Sequence, residues 1–290
     1  MNAFKPAFRP AIRPAITSVF GVQVPVVTTL SFVSQPQSKT VDEYALATFS
    51  CEVTGGVAPY SYQYKKNGAN VGTNSAALSF AADATDNAAS ITVVVTDSAG
   101  TSITSTAAAL GVTSYAFITD GLTQFISLSS EIVLSGDFDV LFTYKGLAAD
   151  YKTFMAAANN DRFARFDLNG AVRMYCGYAT PTSTTKVTDN TSRLIRFRRV
   201  GQVSSVYING VLEGVVDNSI SLGTVKLSKL MEASGSYAKG AITKLSVDSA
   251  GLKILEIPLN NKSQGANQLA TVGSINATIV NYNAAGWTAV

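Results

Sequence analysis

From residue 28 onward, apolar and polar side chains alternate with a period of two. Leu30-Ser31-Phe32-Val33 and Ala47-Thr48-Phe49-Ser50-Cys51-Glu52-Val53 set this pattern, which predicts strands with one buried face. Gly55, Gly56 and Pro59 punctuate the chain. An aromatic strand, Tyr60-Ser61-Tyr62-Gln63-Tyr64-Lys65-Lys66, then closes at Asn67-Gly68, a dipeptide suited to a tight hairpin turn. Further strands are predicted at Ala77–Phe80 and Ser90–Thr96, with a last one near Thr101–Leu110 after the turn Asp97-Ser98-Ala99-Gly100.

The second half repeats the period on longer strands. In Gly136-Asp137-Phe138-Asp139-Val140-Leu141-Phe142-Thr143-Tyr144, the residues Phe138, Val140, Phe142 and Tyr144 share a face opposite Asp139, Leu141 and Thr143. Asn169-Gly170 predicts a hairpin between Phe163–Leu168 and Ala171–Cys176. Leu194–Gly210 reads as two long strands turning at Gly201, and Gly240–Val247 as a later strand. The predicted organisation is an arm over 1–27 and all-β units over 28–112 and 113–290.

The arm breaks the pattern. Lys5-Pro6-Ala7-Phe8, Arg9-Pro10-Ala11-Ile12 and Arg13-Pro14-Ala15-Ile16 write one tetrapeptide three times. Proline at every fourth position removes amide donors and fixes φ, so the stretch reads as extended chain that binds another surface. Its candidate anchoring residues are the cations Lys5, Arg9 and Arg13 and the apolar Phe8, Ile12 and Ile16.

At 290 residues, 47% hydrophobic and 14% charged, the chain has enough apolar content for two cores. Lys plus Arg is 22 and Asp plus Glu is 19; residues 1–20 hold three of the cations and no acid, leaving 19 against 19. A positive excess confined to the arm predicts a local contact with an acidic protein surface, and no nucleic-acid interface. The prolines interrupt any apolar signal run, and no segment reads as a membrane span. The two cysteines, Cys51 and Cys176, fall in different units and read as buried thiols without a disulfide framework. Histidine is absent, which removes the commonest general base and zinc ligand.

The order and spacing of the strands from Phe49-Ser50-Cys51 through Tyr62-Gln63-Tyr64 to Thr96–Thr101 resemble an immunoglobulin-like sandwich. Tyr64 takes the place where that family sets its core tryptophan, Val93 replaces the second cysteine, and Ile91 stands at the corner tyrosine. The resemblance therefore implies a sandwich held by packing alone. The hairpin Arg199-Val200-Gly201 with Val206-Tyr207-Ile208-Asn209-Gly210, together with the strands at Gly136 and Gly240, resembles the concanavalin-like, laminin-G-like jelly roll. Members of that fold bind carbohydrate or protein through rim loops or a concave sheet, which makes such a ligand an expectation.

Candidate ligand contacts follow from side-chain chemistry. Arg196 and Arg198 share a strand face and are candidates for an anion-binding stripe with Arg162, Arg165 or Arg173. Tyr151, Tyr175, Tyr178 and Trp287 are candidate sugar-stacking rings, although Trp287 reads first as a plug near the C-terminus. Asp137, Asp139 and Asp161 do not spell a calcium set and are assigned to turns and strand ends. Glu213, Glu232 and Glu256 are isolated in sequence, so the paired acids of a glycosidase are missing. No phosphate loop or nucleophile elbow appears. The expectation is a protein without enzymatic activity, metal or cofactor.

The basic Pro-Ala-Phe/Ile arm, the disulfide-free immunoglobulin-like unit and the laminin-G-like unit together resemble a tailed-bacteriophage virion protein. That resemblance implies a head decoration or head fibre on the virion surface, folded in the host cytoplasm. Its arm would dock on coat or other virion proteins, several copies (as in a trimer) would share the attachment, and the last unit would meet host-surface glycan. A tail-fibre or tail-tip receptor-binding protein and a bacterial surface adhesin are the alternatives.

Overall fold

The computed structural model describes residues 28–146, 152–159, 162–167, 169–218, 223–233 and 236–290. The arm residues Lys5, Phe8, Arg9, Ile12, Arg13 and Ile16, as well as Tyr151 and Asp161, lie outside the described residues, as does the side chain of Arg162. The described chain is all-β: among these residues the helical content is three short 3-10 turns.

Ten strands make the first body: β1 (Ser31–Ser34), β2 (Lys39–Asp42), β3 (Leu46–Ser50), β4 (Glu52–Thr54), β5 (Ser61–Lys66), β6 (Ala69–Val71), β7 (Ala77–Ala81), β8 (Ala89–Thr96), β9 (Ser102–Thr104) and β10 (Ala108–Thr113). One sheet runs β2-β10-β8-β5-β6, with β9 beside β8, and is faced by the pairs β3-β7 and β1-β4. β2 pairs parallel with β10 and the other ladders are antiparallel. This is the strand order of an immunoglobulin-like sandwich.

The core of this body follows from the alternation. Ala47 and Phe49 on β3 meet Ile91, Val93 and Val95 on β8, and Tyr64 fills the centre at 1% exposure. Tyr64 keeps its hydroxyl satisfied by donating to the Ala76 carbonyl at 2.9 Å, as a buried tyrosine must. Cys51 is buried and unpaired, and packing replaces the disulfide. Asn67 and Gly68 both have positive φ, the type I′ geometry that joins β5 and β6 in two residues. The final strand expected near Thr101–Leu110 is instead two strands. The break is at Ser105, whose side chain turns inward and accepts from the Val93 amide at 3.0 Å while its own amide donates to the Val93 carbonyl at 2.9 Å.

The second body contains β11 (Tyr115–Phe117), β12 (Thr119–Asp120), β13 (Phe125–Leu134), β14 (Phe138–Lys145), β15 (Thr153–Ala156), β16 (Arg162–Phe166), β17 (Ala171–Met174), β18 (Thr182–Lys186), β19 (Arg193–Val200), β20 (Val203–Ile208), β21 (Val211–Asp217), β22 (Val225–Leu230), β23 (Glu232–Ala233), β24 (Ser236–Tyr237), β25 (Lys239–Ser249), β26 (Leu252–Pro258), β27 (Asn267–Gln268), β28 (Ala277–Val280) and β29 (Trp287–Ala289). One sheet runs β12-β25-β14-β19-β20-β21 with β26 on β25; the other runs β18-β17-β16-β15-β22-β13-β28-β27.

Between these sheets lies an aromatic core. Phe154 stacks on Phe166 at 4.5 Å between ring centres, and Phe142 and Phe163 approach Phe197 at 5.5 and 5.4 Å. Cys176 is buried in the same core. The Asn169-Gly170 signal does join β16 and β17, but through a four-residue connection that Asp167 organises, its Oδ1 accepting from the amides of Asn169 and Ala171, each at 2.9 Å. The long sheet has two type I′ turns with positive φ at both residues, Asn209-Gly210 and Ala250-Gly251. Glu213 on β21 ties the sheets together by accepting from the amides of Thr184 and Thr185 on β18 at 3.0 and 2.8 Å.

Among the described residues Arg199 is the largest fully buried side chain, at 1% exposure. Its guanidinium donates to the carbonyls of Gly136 (2.8 and 2.5 Å), Gly223 (2.5 Å) and Leu134 (3.3 Å), and lies over the Phe138 ring at 4.8 Å. Burial pushes it below its ordinary pKa, yet guanidinium stays protonated in proteins. The cation thus gathers carbonyls from the end of β13 and from the segments leading into β14 and β22.

The two bodies meet at a polar seam. Asn260 donates to Glu43 Oε2 at 3.0 Å and accepts from the Tyr44 hydroxyl at 3.3 Å. Lys262 lies over the Tyr115 ring at 3.8 Å and 3.7 Å from Asp42.

Candidate functional site

The outer face of the β12-β25-β14-β19-β20-β21 sheet concentrates the chemistry. Inward residues Ile195, Phe197 and Arg199 of β19 are buried, which turns Arg196 and Arg198 outward. Cross-strand register then builds two rows. In the first, Val215, Ser205, Arg198, Asp139, Asp248 and Lys253 are successive partners on β21, β20, β19, β14, β25 and β26. In the second, Leu212, Tyr207, Arg196, Leu141, Ser246 and Glu256 follow the same strands.

Charge alternates unevenly along the first row. Asp139 and Asp248 stand directly opposite each other, an arrangement that costs stability between like charges. Asp139 is neutralised by Arg196, whose Nε donates to Oδ1 and Oδ2 at 2.8 and 2.9 Å and whose Nη2 also donates to Oδ2. Arg198 Nε lies 4.0 Å from the same carboxylate. Arg196 in turn lies over the Tyr207 ring at 5.4 Å, and Asp139 raises its pKa further. Glu256 is held by Lys253 and by Lys244 at 2.9 Å, and these cations depress its carboxyl. Asp248 differs: its Oδ1 is buried and accepts no hydrogen bond.

A cavity of about 310 Å³ opens over this point, lined by Asp139, Leu141, Leu194, Arg196, Gly210, Ser246, Asp248 and Lys253. A second, of about 230 Å³, shares Asp139 and Asp248 and extends to Arg198 and Val200. Chemically the groove offers a carboxylate acceptor, cationic donors and apolar paving from Leu141 and Leu194.

The other candidate residues are dispersed. Arg165 and Arg173 are cross-strand neighbours on β16 and β17, which belong to the other sheet. Flanking residues Ala164, Phe166, Val172 and Met174 point into the core, so these arginines face away from Arg196 and Arg198. The single stripe is therefore not formed: the core separates its two halves. Arg162 opens β16 on that same sheet. Arg165 lies over the Tyr175 ring at 5.3 Å, and Arg173 Nε donates to Thr182 Oγ1 at 3.2 Å. Tyr178 is 78% exposed in the loop before β18.

Trp287 takes the plug position. It contacts Phe117 edge-on at 5.4 Å, and its Nε1 donates to the Tyr282 hydroxyl at 3.0 Å. Asp137 receives the Gly201 amide at 2.8 Å, as expected of turn chemistry, whereas Asp139 is a mid-strand ion-pair partner. Sequence reading missed Asp248, Lys253, Ser246 and Tyr207. The outward alternation of Ser246 and Asp248 along one strand is legible; that they lie beside Asp139 is a matter of sheet order.

These features define an all-β protein of two sandwiches, the first immunoglobulin-like in strand order. No family model and no curated protein matches the chain. Among solved structures, Duf (Kirre) D1 is similar at 20% identity, covering 29% of this chain and 96% of that one with a TM-score of 0.25. Rst D1-D2 is similar at 13% identity, covering 69% and 98% with a TM-score of 0.26. Likenesses at these scores carry no argument about activity or partners.

Proposed function

We propose that the chain is a non-enzymatic virion structural protein of a tailed bacteriophage, a head decoration or head fibre. Residues 5–16 dock it on the particle and the second sandwich is presented outward to host-surface glycan. The observation that carries the reading is the threefold Lys/Arg-Pro-Ala-Phe/Ile repeat placed ahead of two sandwiches with separate cores. Phe8, Ile12 and Ile16 enter apolar recesses between coat subunits while Lys5, Arg9 and Arg13 pair with acidic residues. Short anchors gain from multiplicity, so several copies around one axis, as in a trimer, raise the effective concentration of each remaining arm.

The test is electron microscopy of purified particles incubated with the full chain or with the chain lacking residues 1–20. Head decoration by the full chain alone is the expected result. Binding to the tail transfers the protein to the receptor-binding class, and binding to no particle, or equal decoration by both chains, overturns the reading.

A further inference from the structure

We infer that the groove over Asp248 is a binding site for a neutral pyranose, with Asp248 as the ligand carboxylate. This rests on the presentation reading above and names its ligand class and residues.

Three observations converge. Asp248 is set opposite Asp139, a like-charge pairing that sheet stability disfavours. The arginine fork that neutralises Asp139 leaves Asp248 without a donor on its buried Oδ1, although an unmade hydrogen bond at a buried polar atom is costly. Both residues line the same 310 Å³ cavity. Local rules are broken together at one place, which is where binding function is expected.

The surroundings select the ligand. Arg196 and Lys253 disfavour an added cation, and the two aspartates disfavour an added anion; a neutral polyol meets neither objection. A ring hydroxyl donates to the Asp248 carboxylate, rotation about χ2 bringing either oxygen to the groove. A vicinal hydroxyl accepts from Lys253 or Arg196. Leu141 and Leu194 receive the C–H face of the ring. Tyr178, the most exposed ring among the described candidates, lies in the loop between β17 and β18 of the other sheet and takes no part.

The full chain is titrated with the methyl pyranosides of glucose, galactose and mannose, followed by saturation-transfer NMR and calorimetry. At least one is expected to bind. Asp248→Asn keeps the shape and removes the charge, and a hydrogen bond to a charged group is worth enough that binding should weaken about tenfold or more. The melting temperature should be unchanged or raised, because the substitution relieves an unsatisfied, repelled carboxylate; Tyr178→Ala should bind as the parent does. Binding of none of the three, undiminished binding by Asp248→Asn, loss of binding by Tyr178→Ala, or a fall in melting temperature in Asp248→Asn each overturns the assignment. The titration uses no particles, so its failure is separable from failure of arm docking.

Discussion

Replacing Arg199 with Met tests whether a buried cation holds the second sandwich together. Three carbonyls, those of Leu134, Gly136 and Gly223, lose their donor. Hydrogen bonds to a charged group contribute about 1.5–3 kcal/mol each, and orphaned buried acceptors cost about 1–3 kcal/mol. Removing the ion offsets part of this, because dehydrating a charge costs several kcal/mol. The expected net loss is about 3 kcal/mol, which for a body of this size lowers the melting temperature by roughly 6–12 °C. Trp287 is the only tryptophan in the chain and packs on the second core, so its fluorescence follows the relevant transition. Arg199→Lys should also melt early, because one ammonium lacks the planar fork that reaches the three carbonyls together. A shift below about 2 °C for Arg199→Met, or a Lys variant as stable as the parent, would refute the reasoning.

Four further outcomes are expected. Burial acts to raise the Asp120 carboxyl, but the amides of Thr123, Leu122 and Gln124 together outweigh it and hold the group down at about 2. A depressed acid stabilises above its unfolded pKa of about 3.9 and ceases to do so as pH falls through its folded value, so the stability gap between parent and Asp120→Ala should close between about pH 4 and 2 in acid melts. Burial, then neighbouring Glu43, raises Tyr44 to about 12; the neutral phenol stabilises the seam below pH 10, and that contribution should fade from about pH 10 to 12. Asn260→Ala, which removes both seam hydrogen bonds, should broaden the small-angle scattering distance distribution without moving the Trp287 transition, and an unchanged distribution would count against the seam as a latch. Cys51 and Cys176 are both buried, with thiols raised first by burial. Neither should react with a disulfide reagent until denaturant is added, and rapid native labelling would contradict the packing.

The alternation of Ala47, Phe49, Ile91, Val93 and Val95 marked the inward face of the first sandwich because a strand's side-chain period is two and burial follows it. Asn67-Gly68 was a legible turn for an equally local reason, the need for positive φ at adjacent residues, and Asn209-Gly210, read only as the end of the Val206–Gly210 motif, makes the same turn. Ala250-Gly251 makes the same turn without the asparagine signal, so residue preference understated it. In the sequence Arg199 stands out only within Arg199-Val200-Gly201; its odd position on β19 turns it inward, where the carbonyls of Leu134, Gly136 and Gly223 receive it. The arginine stripe failed for a related reason: strand faces can be read along the chain, but which sheet a strand joins cannot.

The sequence by itself determined an all-β chain, the inward faces of its strands, two unpaired buried thiols and a basic repeat at its start, since each depends on neighbours within a few residues. Only the tertiary structure decided that Asp139, Arg196, Asp248 and Lys253 share one groove while Arg165 and Arg173 lie across the core. Their juxtaposition comes from hydrogen-bond register between strands as much as about 110 residues apart, and sheet order is set by the global packing of two faces, which no local pattern encodes.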